Sequence, residues 1–462
     1  AGLAPLEGRV RKLQNQGQLP RLHYFRAGSH RKWALISFAL HLLRANCRRG
    51  GCPALRRALQ RPPPIRCRRD TDVRPLRTSM AQVEAVEGDT VTLDRGVHFD
   101  FDAGKTQVER IDALDAQIQA LIAERAGVAL EVARIKTERQ RTDFYRPERE
   151  ADVLRRVAER NEGPLDNATI TRLMREVMSA CLALESPLKV AYLGPEGTYT
   201  QAAVYKHFGH SVRALPLPAI DEIFREVEAG NADFGVVPVE NSTEGVVSHT
   251  LDQLVGSSLA ICGEVALAVH HHLLSRERDL ESVKRVVAHA QSLAQCRKWL
   301  DRQLPGVVRE AVSSNGEAAR RVAAESQAAA IAGRAASEFY ELPMLASNIE
   351  DEPNNTTRFL VLGNQRVPAT GNDMTSILVA IRNQPGMLHR LLTPGAEAGV
   401  DLTRIESRPS RRQAWDYNFF IDLEGHIEEA RVRQVLDAIE SQAAMLKVLG
   451  SYPRAIGPDS NS

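Results

Sequence analysis

Apolar residues at positions 111, 114, 118, 121, 122, 128, 129, 132 and 135 keep a helical period for about thirty residues. Few globular helices are that long. A second helical stretch fits Pro147 to Arg160, with Pro147 in a first-turn position. A third runs from about Ala168 to Leu184, with Asp166 or Asn167 as its cap. At Ser186-Pro187 the helical texture stops. Short apolar runs follow ("KVAYLG", "ADFGVVPVE", "LAICGEVALAV", "RVVAHA", "AAAIAG", "RFLVLG"), several flanked by helix-like segments. That alternation predicts an α/β region over 188–364. After the linker "NQRVPATGND", the remaining segments fall in the order β-α-β-β-α-β, the ferredoxin-like split unit. The expected fold is therefore multidomain: all-α over 106–186, α/β over 188–364, and α+β over 375–453.

With 462 residues the chain exceeds what one hydrophobic core covers. Its net charge of +2 gives no ground for nucleic acid or an acidic membrane as partner. Residues 1–79 are crowded with Arg and nearly free of Asp and Glu, so the remainder is mildly acidic. The apolar run "WALISFALHLL" at 33–43 falls short of the roughly 20 residues a membrane span needs. It is followed by "RANCRRGGCPALRR" rather than by a small-residue cleavage site. Residues 1–105 are expected to be an Arg-rich, disordered extension, with Met80 a conceivable internal start. The six cysteines, Cys47, Cys52, Cys67, Cys181, Cys262 and Cys296, show neither zinc nor thioredoxin spacing. Reduced thiols and a cytoplasmic location follow as expectations.

Arg125 and Lys136 lie eleven residues apart, three helical turns, and so share a face. Leu114, Ile118, Leu121, Val128 and Val132 lie on the same face, and Arg110 is close to it. Charges inside an apolar stripe are costly unless paired. One such residue reads as a stem that snorkels to water; three together suggest a pocket for a small polyanion. On the third helix Val177, Cys181, Leu184 and Glu185 follow i, i+4, i+7, i+8, which brings a carboxyl onto the apolar face. A buried carboxyl tends to be protonated and can then donate a hydrogen bond.

"VERIDALDAQIQALIAERAGVALEVARIK", followed by "PERE", resembles the all-helical chorismate mutase family. The resemblance implies an intertwined dimer whose sites are shared between chains, with Arg110 reaching into the partner's site. Arg125, Lys136 and Arg149 would hold the two carboxylates of chorismate, and Glu150 its hydroxyl. Glu185 falls where the family places Gln or Glu facing the ether oxygen that gains charge. Cys181 stands where some members carry Ser, and Arg146 where some carry Asp. A Claisen rearrangement needs no nucleophile or metal, only a folded conformer and donors aimed at developing negative charge.

In the α/β region, three stretches run from a strand through amides and hydroxyls into a helix: "YLGPEGTYTQAAVYKHF", "VVPVENSTEGVVSHTLDQL" and "VVAHAQSLAQCRKWL". Helix N-termini bind anions. Several converging at the ends of neighbouring strands make a cleft for an anionic small molecule. The set "GPEGTYT", "VPVENSTEG", "AHAQSLAQC" and "TTRFLVLG" resembles prephenate dehydratase, whose fold is two α/β subdomains around a cleft, similar to periplasmic binding proteins. By that resemblance Thr357 protonates the departing hydroxyl of prephenate as carbon dioxide leaves. Arg358 and Phe359 shape the pocket, and Thr198, Asn241, Ser242, Thr243 and Gln291 bind the carboxylates and keto group. His270 and His272 would share a face of a strand. No carboxylate or Cys accompanies them at ligand spacing, so no metal is expected.

The last unit carries "PGML" and "TRIESRP" and resembles the ACT regulatory domain. The resemblance assigns phenylalanine's carboxylate to the loop N–H groups of Gly386, Met387 and Leu388. It assigns the ammonium to Glu406 and completes the site with Ser407, Arg408 and Pro409; Met387 replaces the usual Ala. Together the three resemblances imply an enzyme that turns chorismate into prephenate and then phenylpyruvate, inhibited by L-phenylalanine. It would be a homodimer or higher homo-oligomer with no cofactor, nucleic acid or membrane partner. A dehydratase preferring arogenate is the near alternative, and a non-catalytic amino-acid sensor the distant one. The intact "TRF" argues against the sensor. No Ser-His-Asp elbow, P-loop or dinucleotide fingerprint is present.

Overall fold

The computed structural model describes residues 65–67, 79–81, 83–87, 90–93, 98–138, 145–381, 384–409 and 417–455. Most of the stretch 1–105, including the apolar run at 33–43, Cys47 and Cys52, lies outside them. The chain divides into two compact units, Ala1–Gln119 and Ala120–Ser462.

In the first unit, β1 (Ile65–Cys67) pairs antiparallel with β2 (Ser79–Ala81). A three-stranded antiparallel sheet follows, built from β3 (Val83–Glu87), β4 (Thr90–Leu93) and β5 (His98–Asp100). Helix α1 (Phe101–Glu138) is 38 residues long and begins five residues before the expected domain boundary. Its apolar stripe is exposed: Ile118 is 54% and Leu121 64% accessible.

In the second unit, α2 (Pro147–Glu159) starts with Pro147 at its first turn, and α3 (Asn167–Glu185) is capped by Asp166, whose Oδ1 accepts from Thr169 N at 2.7 Å. Two α/β subdomains follow. The first contains β6 (Lys189–Leu193), α4 (Tyr199–Phe208), β7 (Arg213–Leu217), α5 (Ile220–Glu228), β8 (Phe234–Asn241), β9 (Gly245–Val246), α6 (Ser248–Gly256) and β10 (Ala260–Ala268). The second contains β11 (His272–Leu274), β12 (Arg285–His289), α7 (Ala290–Gln295), α8 (Arg297–Gln303), β13 (Val308–Val312), α9 (Asn315–Val322), β14 (Ala328–Ala332), α10 (Arg334–Phe339) and β15 (Met344–Ala346). The chain then returns as β16 (Thr356–Gly363) to the first sheet, whose order is β10-β16-β8-β6-β7, with β9 beside β8. The second sheet has the order β13-β12-β14-β11-β15. Two crossings, β10 to β11 and β15 to β16, join the subdomains.

From Phe359 to Gly363 strand β16 is buried on both faces, and that part of its sequence is an unbroken apolar run. Phe359 and Val361 enter a core with Tyr145, Phe208 and Val236. Leu360 and Leu362 enter the opposite one with Val237, Val239 and Leu254.

The C-terminal elements are β17 (Asp373–Ile381), α11 (Met387–Ala398), β18 (Leu402–Pro409), β19 (Tyr417–Glu424), α12 (Ala430–Glu440) and β20 (Met445–Pro453). They form an antiparallel sheet of order β18-β19-β17-β20, the α+β arrangement expected. Ile377, Val379, Phe419 and Ile421 share a core with Leu391 of α11 and Val432 of α12. From the other face, Met374, Leu378, Phe420, Leu449 and Tyr452 join the core that holds Leu360 and Val239. Strand β20 passes so near β10 that a Cβ on Gly450 would lie 2.2 Å from the carbonyl oxygen of Ile261. Only glycine allows that approach.

Candidate active sites

The helical region brings three of its expected residues together. Lys136 Nζ lies 3.8 Å from Glu185 Oε2, and that oxygen is buried without a hydrogen-bond partner. Burial pushes the Glu185 carboxyl up, while the nearby charges of Lys136 and Arg125 pull it down; the net shift is upward. Cys181, one turn earlier on α3, is buried. Glu150 accepts from Arg175 Nε at 3.3 Å, yet burial still raises its pKa. Arg175 has no place in the sequence-derived site; nothing in its spacing sets it apart from Arg172, the other Arg on α3. Arg149 is exposed, and Arg146 pairs with Glu148 at 2.6 Å. Arg110 is exposed on the first unit's part of α1.

A second polar cluster lies where the two α/β subdomains meet. Register sets Thr357 of β16 opposite Asn241 of β8. Asn241 Oδ1 accepts from the backbone N–H of Thr243 and of Glu244, both at 3.0 Å. Those donors fix the amide's orientation, because a backbone N–H cannot accept. Asn241 Nδ2 therefore donates to Thr357 Oγ1 at 2.8 Å and to Asn355 Oδ1 at 2.7 Å. The Thr357 hydroxyl hydrogen is not used in that bond. Ser242 Oγ accepts from Thr356 N at 2.9 Å and ties the loop to the strand.

Three further residues close the cluster and escaped the sequence reading as site residues. Asn355 Nδ2 donates to Gln295 Oε1 at 3.3 Å, and His271 Nε2 lies 2.8 Å from the same oxygen. Gln295 Nε2 donates to Glu244 Oε1 at 3.0 Å, so α7 of the second subdomain is fastened to the loop after β8. The signal for Asn355 and Gln295 was present in "NNTTRF" and "AHAQSLAQC", and that for His271 in the run His270 to His272, but short motifs do not say which group meets which. Thr198 caps α4, its Oγ1 accepting from Gln201 N at 3.4 Å. Gln291 is exposed at the start of α7. Neither hydrogen-bonds Thr357.

Two expectations need correction. Arg358 does not share the face of Thr357, since successive strand residues point to opposite sides. Its guanidinium meets Glu264 Oε2 at 2.7 Å, Asp422 Oδ2 at 2.5 Å and Tyr452 OH at 3.1 Å, against the C-terminal sheet. Phe359 is packed in a hydrophobic core, 2% exposed. The histidine run also differs from expectation. Only His272 is in a strand, and His270 Nδ1 has a carboxylate beside it, Glu350 Oε1 at 2.8 Å. No group of three or more potential metal ligands occurs among the described residues.

In the C-terminal sheet, Gly386 has φ +76° and caps α11, a conformation that favours glycine. Met387 follows it, and Leu388 is exposed. Glu406 and Arg408 alternate with the exposed Ser407 and Pro409 on the edge strand β18. Arg408 is already engaged, donating to Ser248 Oγ at 2.5 Å and to Asp252 Oδ1 at 2.9 Å on α6.

Comparison with known proteins assigns all three regions. The chorismate mutase type II family matches residues 107–186, the prephenate dehydratase family 190–367 and the ACT domain 375–441. A mutase, a lyase and a ligand-binding regulatory module in that order define a class of two-activity enzymes. Over 352 residues the chain is 58% identical to the bifunctional chorismate mutase/prephenate dehydratase of Pseudomonas aeruginosa, covering 75% of this chain and 96% of that one. The chain belongs to the bifunctional chorismate mutase/prephenate dehydratase family. A prephenate dehydratase from Arthrobacter aurescens, solved in complex with L-Phe, aligns with a TM-score of 0.54 at 34% identity, over 58% of this chain and 90% of that one. GqqA, described as a novel type of quorum quenching acylase, aligns equally well, with a TM-score of 0.54 at 29% identity over 58% of this chain and 98% of that one. The backbone of the α/β region thus hosts more than one chemistry, and residues must choose between them.

Proposed function

We propose that the chain rearranges chorismate to prephenate in its helical region and converts prephenate to phenylpyruvate where the two α/β subdomains meet. The observation that carries the reading is the fixed amide of Asn241 donating to Thr357 Oγ1, in a chain 58% identical to a bifunctional relative. With its oxygen already accepting, Thr357 is free to give its proton to the ring hydroxyl of prephenate. The carboxylate leaves as carbon dioxide, its bonding pair enters the ring, and the protonated hydroxyl departs as water. The same Asn241 N–H then stabilises the alkoxide left on Thr357. Placement has to supply what an alcohol lacks in acidity, and aromatisation drives the step. Ser242, Thr243, Thr198 and Gln291 hold the carboxylates and keto group.

In the mutase, Arg125, Lys136 and Arg149 hold the substrate's carboxylates, Glu150 its hydroxyl, and protonated Glu185 donates to the ether oxygen, with Cys181 behind it. Arg110 serves the site of a second chain. The exposed stripe of α1 supports a homodimer, since soluble monomers rarely leave so long an apolar face to water. Gly386, Met387, Leu388, Glu406, Ser407, Arg408 and Pro409 bind L-phenylalanine, which lowers the dehydratase rate. A cytoplasmic location is part of this reading; among the described residues no helix is long and apolar enough to cross a membrane.

The test is phenylpyruvate release from chorismate by the full chain, with and without millimolar L-phenylalanine. The wild type should turn over and be inhibited. Thr357→Ala should lose at least about a hundredfold in phenylpyruvate formation while still accumulating prephenate. Undiminished phenylpyruvate formation by that variant overturns the assignment of Thr357.

A further inference from the structure

Register places Arg358 opposite Glu240 one step from the Thr357–Asn241 pair, so two neighbouring couples lie across the same two strands. Thr357 and Asn241 bond each other where the subdomains meet. Arg358 and Glu240 are each held by the C-terminal sheet. Arg358 pairs with Asp422 at 2.5 Å, and Glu240 Oε2 pairs with Arg404 Nε at 2.8 Å. Arg404 and Asp422 are themselves cross-strand partners in β18 and β19. The result is a square of four alternating charges, two on each sheet. Three of the four are well shielded, with side-chain exposures of 20% for Arg358, 7% for Asp422 and 14% for Arg404. Helix α6, which follows the Asn241 loop, is gripped from the same direction at both ends. Arg408 holds Ser248 and Asp252, and Lys447 Nζ donates to the carbonyls of Leu254 at 2.9 Å and Ser257 at 2.5 Å.

We propose that Arg404 and Asp422 position the dehydratase's reacting groups by holding Glu240 and Arg358, the chain neighbours of Asn241 and Thr357. This inference rests on the dehydratase reading above and extends it to regulation of the same site. The four charges touch no substrate; they act through backbone. A strand residue whose side chain is clamped on one face fixes the direction of its neighbour on the other. Displacements of about 1 Å in a reacting group can cost about a hundredfold in rate. Rearrangement of β18 or β19 is thereby carried to Thr357 within one residue of chain.

The experiment compares Arg404→Gln, Glu240→Gln and the double substitution in the full chain, each assayed for both activities. The single variants should lose about thirtyfold or more in prephenate kcat, with KM changed less than about threefold and mutase turnover unaltered. The double variant should lose no more than about the larger single loss, because the two residues act as one pair. Singles with unchanged kcat, losses that multiply in the double, or a parallel loss of both activities overturn the proposal. Wild-type chain inert towards prephenate removes the dehydratase reading itself, a result distinct from any ranking of the variants.

Discussion

At the scale of single residues, surroundings decide charge. Glu185 has a carboxylate oxygen without a donor and an ammonium only at 3.8 Å. Burial outweighs the pull of Lys136 and Arg125, so its proton is retained to higher pH than an exposed glutamate would allow. In the proposed mutase step the protonated form is the donor, so mutase kcat should fall as pH rises through that raised value, approaching about tenfold per pH unit. An amide is a donor at every pH in that range, so Glu185→Gln should flatten the profile. A mutant profile with the wild-type slope would refute the role. At this scale the sequence showed which residues gather but not how they face. Thr357 and Asn241 were legible as motif members. Arg358 was misplaced because adjacency in a motif says nothing about sides of a sheet. Gln295 and Asn355 were overlooked because their value comes from contacts between subdomains.

Elements were readable wherever periodicity was strong. The long helix, the cap at Asp166 and the β-α-β-β-α-β order all follow from apolar spacing and local capping chemistry. What spacing could not reveal is how strands from distant segments lie together. Gly450 is an instance: nothing near it in sequence demands glycine, and the demand comes from Ile261 on another sheet. Gly450→Ala would place a Cβ 2.2 Å from a backbone oxygen that cannot swing aside. Overpacking of this kind costs about 1–3 kcal/mol. At about 2–4 °C per kcal/mol, melting of the full chain should drop by several degrees, which scanning calorimetry would read. An unchanged melting temperature would mean that β10 and β20 are not in contact.

At the scale of the whole molecule, domain order was legible from changes of texture, whereas the docking of the C-terminal sheet was not, because both of its faces are apolar. Among the described residues, the apolar stripe of α1 is a long exposed surface. If a second chain covers it, Leu121→Glu should shift sedimentation from a multimer to the 51.0 kDa monomer and abolish the mutase. Dehydratase turnover should survive. Retention of the multimer with full mutase activity would place the contact elsewhere.

Residues from the regulatory sheet and from β8 and β16 fill one continuous hydrophobic cluster. A chain severed between Gly363 and Asp373 would therefore leave two bare greasy walls in water, each prone to aggregate. The C-terminal sheet cannot be dispensed with by simple truncation; the first sheet would beforehand have to be resurfaced with polar side chains.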